Sequence, residues 1–135
     1  MKTQRIHLQT LVALLFLTAA WSARAQVTLI STGAVWKYLD TGADQGTAWR
    51  GLGFVDDTWA LGPAQLGYGD GDEATIVGFG ADANNKYITT YFRNTFNVVD
   101  ASSITNLRAR LERDDGAVVY LNGTEVFRRD RKSVV

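Results

Sequence analysis

LRARLERDDGAVVYLNGTEVFRR, residues 107–129, reads as a strand, a tight turn, a second strand, an Asn-Gly hairpin and a third strand. Residues 104–113 alternate, with Leu107, Ala109 and Leu111 directed inward and Arg108, Arg110 and Glu112 outward. That period of two predicts a strand with one packed and one solvated face, the charged side forming weak cross-strand pairs. Asp114-Asp115-Gly116 turns the chain, because Asp side chains accept from nearby amides and Gly tolerates positive φ. Asn122-Gly123 supplies a type I′ turn whose twist matches the flanking strands. A two-residue loop sets Leu121 against Thr124, Val119 against Val126 and Val118 against Phe127. Asn122-Gly123-Thr124 also fits a glycosylation acceptor, but the hairpin accounts for it better.

Working outward, residues 87–98 predict the longest strand, with Ile88, Phe92, Phe96 and Val98 on a core face and Tyr87, Tyr91 and Arg93 on the other. Residues 27–30 and 35–39 predict two short strands split by Ser31-Thr32-Gly33. Residues 40–53 predict a loop with one helical turn near Trp49. Residues 69–85 are irregular apart from an apolar insert at 76–79, and residues 100–103 turn. There is no sustained helical period and no internal repeat, which argues for an all-β sandwich or barrel.

The first 25 residues are a targeting segment. Lys2 and Arg5 precede an apolar run over 11–20, and Ala23-Arg24-Ala25 offers the small residues of a signal-peptidase site, so cleavage is expected before Gln26. The run is too short to span a bilayer, so no membrane association is expected after cleavage. The mature chain is expected to be secreted, in the periplasm or outside the cell. Lys2, Arg5 and Arg24 leave with the signal and no acid does, giving a mature net charge of about −3, against the basic stripe a nucleic-acid partner requires. His7, the only histidine, leaves too, and the chain has no cysteine. Without them a Ser-His-Asp triad, a cysteine nucleophile, a disulfide framework and the usual zinc sites are excluded.

Three separated motifs in order carry a family likeness: Trp36-Lys37-Tyr38; Phe54, Asp56, Asp57 and Trp59 followed by Gly62-Pro63 and a strand over 66–69; and Tyr91-Phe92-Arg93 through Asn122-Gly123. Together they resemble the galactose-binding-like jelly roll that secreted bacterial enzymes carry as an accessory module, including the sugar-binding domain of β-galactosidase-type glycosidases. The resemblance implies an antiparallel β-sandwich over residues 26–129, incomplete at the C-terminus, since the family needs further strands to close its two sheets. It implies a noncatalytic role, either binding carbohydrate or serving as a spacer packed on downstream domains of the same polypeptide, such as a phosphoesterase or glycoside hydrolase. Residues 130–135, DRKSVV, break the pattern and match one translation frame of a sequencing-library adapter. They are read as a non-native tail, and the fragment alone is expected to expose apolar surface and unpaired edges.

Sugar rings stack on flat aromatic faces while polar neighbours bind their hydroxyls. Trp49 and Arg50, in the irregular loop, and Tyr87, Tyr91 and Arg93, on the strand face away from the expected core, are the candidate ligand-binding residues. Trp36 and Trp59 are read as core or loop-covering residues. Asp70, Asp72 and Glu73 offer hard oxygen ligands for calcium, the one cofactor considered, although the spacing is not that of an EF-hand and acidic loops are commonly just solvated. Asp56-Asp57 and Asp114-Asp115 invite a glycosidase reading. Adjacent residues of an extended chain point to opposite faces, so neither pair alone aims two carboxyls at one bond, and these aspartates read better as turn and loop fasteners.

Overall fold

The computed structural model describes residues 26–114 and 116–129. The expected signal segment over 1–25, the expected tail over 130–135 and Asp115 lie outside the described residues. The regular elements are strands: β1 (Val35–Leu39), β2 (Ala60–Pro63), β3 (Leu66–Gly67), β4 (Thr75–Ile76), β5 (Tyr91–Arg93), β6 (Ala117–Leu121) and β7 (Thr124–Arg129). Two single 3₁₀ turns, Ala48–Arg50 and Ala101–Ser103, are the helical content among the described residues. The chain is all-β in character, and no described helix is long and apolar enough to cross a membrane.

β1 is the centre of a three-stranded antiparallel sheet, β2-β1-β5, with Lys37 opposite Leu61 on one side and Arg93 on the other. Because side chains alternate, Val35, Lys37, Leu39, Leu61, Tyr91 and Arg93 share one face, and Trp36, Tyr38, Gly62 and Phe92 share the opposite one. β3 and β4 form a short parallel ladder. It lies over the second face: a Cβ on Gly62 would run into the Thr75 side chain, whose hydroxyl donates to the Pro63 carbonyl at 2.8 Å. Glycine at 62 is what lets the two sheets approach so closely. Asp40, just past β1, accepts from the Gly78 amide at 2.5 Å and ties the ladder's far end to the central strand.

Trp59 and Val77 are the buried hydrophobic residues among those described. Trp59 packs edge-on to Phe54, with ring centroids 5.8 Å apart, and tilted against Tyr91 at 6.2 Å.

Several strand expectations are corrected. Of residues 87–98 only Tyr91–Arg93 pairs, and the expected core residue Ile88 is fully exposed. Tyr91, expected on the side away from the core, instead packs against buried Trp59. Residues 104–113 form no strand, leaving Leu107 and Leu111 about half exposed, and residues 27–30 form none either. Alternation is a local property, whereas a strand exists only where a neighbour takes its amides and carbonyls.

The hairpin forms at the expected turn. Asn122 and Gly123 both have positive φ, 49° and 84°, and Leu121 faces Thr124. Beyond Tyr120–Glu125 the register shifts, so Val119 faces Phe127 and Val118 faces Arg128, with Val126 left as an extra residue in β7. This bulge corrects the regular pairing read from the turn alone.

Candidate functional site

The Asp56 carboxylate joins two cations on the β1 face. One oxygen accepts from Lys37 Nζ at 2.5 Å and the other from Arg93 Nε at 2.7 Å. Lys37 and Arg93 are direct cross-strand neighbours on β1 and β5, and Asp56 reaches them from the loop before Trp59. The Arg93 and Asp56 side chains are only 13% and 16% exposed, so this pair is better shielded from water than a surface salt bridge. The hydrogen bond from Lys37, reinforced by Arg93, holds the Asp56 carboxyl below the usual carboxylate range, and the same bond raises Lys37. Asp56 is thus an anchor clamped by two cations, consistent with its reading as a loop fastener.

Arg93 extends the anchor to the loop carrying Trp49. Nη1 donates to the Trp49 carbonyl, and Nη1 and Nη2 donate to the Gly51 carbonyl at 3.2 and 3.3 Å. The planar, five-donor guanidinium suits this divergent set; an ammonium could not hold it. Its carbon also lies 5.2 Å from the centre of the Phe54 ring.

Above that anchor stands an aromatic cluster. Trp49 meets Tyr91 edge-to-face at 5.1 Å and Tyr120 of the hairpin at 5.6 Å, which joins the loop, the sheet and the β6-β7 hairpin at one residue. The Tyr91 hydroxyl accepts from the Gln45 amide at 3.3 Å and donates to Asp44 at 3.4 Å. Arg50 lays its guanidinium 4.3 Å over the Tyr120 ring, with its Nε buried and without a hydrogen-bond partner. A groove of about 350 Å³ on the same sheet face is lined by Val35, Lys37, Asp56, Leu61, Arg93, Asn94 and Thr95.

Of the candidate binding residues, the structure therefore brings Trp49, Arg50, Tyr91 and Arg93 together. Tyr87 stands apart, its ring lying against Gly42 and Gly80, where a Cβ would come within 2.5 Å and 3.1 Å of it. Tyr68, Phe79 and Lys86 make a separate contact nearby, with the ammonium 4.6 Å from the Tyr68 centroid.

Asp70, Asp72 and Glu73 share a loop, but Glu73 turns its carboxylate onto that loop, accepting from the Asp70 and Gly71 amides at 3.0 and 2.9 Å. Those bonds, the Asp70 one foremost, lower its pKa. Among the described residues no three acidic, histidine or cysteine side chains converge as a metal site would require.

Sequence reasoning missed Lys37 and Tyr120. A lysine at the middle of a five-residue strand flanked by aromatics was the available signal for the first, since a charge there needs a partner. Nothing local marks Tyr120, whose role depends on a loop 70 residues earlier.

No family model, curated protein or solved structure matches the chain.

Proposed function

We propose that residues 26–129 belong to a galactose-binding-like jelly-roll module, a noncatalytic part of a larger exported protein, which holds carbohydrate through the Trp49 loop. The observation that carries this reading is the fixing of Trp49: a partly buried indole is gripped by Tyr91 and Tyr120 while Arg93 holds the carbonyls of Trp49 and Gly51. An aromatic fixed before binding loses little freedom when a sugar stacks on it. Asp44 and Gln45, which meet the Tyr91 hydroxyl, are the polar partners offered to sugar hydroxyls. The short ladder stacked on the second face of the β2-β1-β5 sheet is compatible with a two-layer sandwich.

The test is a glycan array probed with the chain beginning at Gln26, beside Trp49→Ala. Binding that the substitution abolishes, with the β-sheet circular dichroism kept, supports the reading; binding indifferent to Trp49 sinks it. A spacer packed against a downstream domain is the second reading, favoured by the exposed apolar Leu61, Ile76 and Phe127. It expects silence on the array.

A further inference from the structure

β7 reads THR-GLU-VAL-PHE-ARG-ARG, residues 124–129, with all six residues exposed, and among the described strands it pairs with β6 alone. In a regular strand Glu125 and Arg128 would point to opposite faces. The extra residue at Val126 returns them to one face, where Arg128 Nε and Nη2 each donate to a Glu125 oxygen at 2.7 Å. Val126 and Phe127 remain 56% and 42% exposed.

This order of residues is complementary to itself when reversed. An antiparallel copy centred between Val126 and Phe127 sets Glu125 against Arg128, Val126 against Phe127 and Thr124 against Arg129, twice over. Each strand already presents a minus and a plus side by side, so the two copies close a ring of four alternating charges. A parallel pairing would set Glu125 on Glu125 and Arg128 on Arg128. Charges on an edge strand usually oppose edge-to-edge association; here they oppose the in-register parallel pairing and favour the two-fold antiparallel one.

We propose that the partner of this edge is a second copy of the chain, joined through β7 in antiparallel register about a two-fold axis to give a continuous β6-β7-β7-β6 sheet. The interface is isologous, so it closes at the dimer and does not propagate through β7.

The test is sedimentation velocity across a concentration series on the chain beginning at Gln26, with two charge variants. Glu125→Arg leaves three arginines and no acid on the edge, and Arg128→Glu leaves two glutamates beside Arg129. The wild type is expected to dimerise, each variant alone to be monomeric, and an equimolar mixture to form a heterodimer. Mixing cannot repair the bond within one strand, so recovery reports pairing between chains. A wild type that stays monomeric at every concentration, a dimer indifferent to both substitutions, or a mixture that remains monomeric overturns the proposal. As a measurement needing no variant, amide exchange over residues 124–129 of the wild type should slow as concentration rises. Exchange independent of concentration also overturns it.

Discussion

Arg93 and Asp56, 37 positions apart in the chain, meet at 2.7 Å, and the rest of the Arg93 guanidinium holds the carbonyls of Trp49 and Gly51. One side chain therefore couples the central sheet to the loop that carries the Trp49 indole.

Arg93→Ala removes the shared donor, leaving Asp56 with Lys37 and the two loop carbonyls without their partner. Loss of a charged hydrogen-bond set that is shielded, though not fully buried, predicts destabilisation of about 2 to 3 kcal/mol, read as a lowered urea midpoint. Arg93→Lys should recover only part of it, because a single ammonium cannot serve a carboxylate and two carbonyls at once.

Acid should weaken the anchor before alkali does. The folded Asp56 carboxyl is held low, chiefly by Lys37, so its contribution is present above the unfolded carboxyl pKa of about 4 and is lost as pH falls through the lower folded value. Lys37 is raised, so its contribution is complete below about 10.4 and is lost as pH rises through the higher folded value. The difference in melting temperature between wild type and Asp56→Asn should be constant from about pH 6 to pH 9 and shrink below about pH 4. A difference unchanged at pH 3 would contradict the assignment.

Gly42 combines a φ of 74° with a Tyr87 ring atom 2.5 Å from where a Cβ would stand. Gly42→Ala should cost about 2 to 4 kcal/mol, from overpacking together with left-handed strain. In Gly42→Ala with Tyr87→Ala, the overpacking cost disappears and about 1 to 2 kcal/mol remains. Urea midpoints around this double-mutant cycle measure the coupling.

With Trp59 and Val77 as the buried apolar residues described, unfolding exposes little new apolar surface. The urea slope should lie at the low end of the range for small domains, near about 1 kcal/mol per molar. A slope above about 2 would show a larger core.

What could be read from the sequence was what local chemistry decides. Asn122-Gly123 dictated its own positive-φ turn, residues 35–39 paired over their full expected length, and the turns near Trp49 and after Asp100 formed where small and polar residues cluster. Asp100 caps its turn by accepting from the Ser102 amide at 2.9 Å. Choices made by distant partners were not legible. Residues 104–113 alternate as cleanly as any strand and still find no ladder, while the strand expected over 66–69 shortens to Leu66–Gly67 and takes Thr75 and Ile76 as a parallel partner that nothing local announces. Trp49, Tyr91 and Arg93 could be nominated from residue type and expected strand face, but their meeting point is set by Asp56, which only the fold brings within reach.

The unmatched residue in β7 also acts as a phase shifter. Excising Val126 would remove the bulge and restore strict alternation, leaving Glu125 and Arg128 two places apart on the same side of the ribbon. A single-codon deletion would thus straighten the ribbon while keeping its zwitterionic side intact.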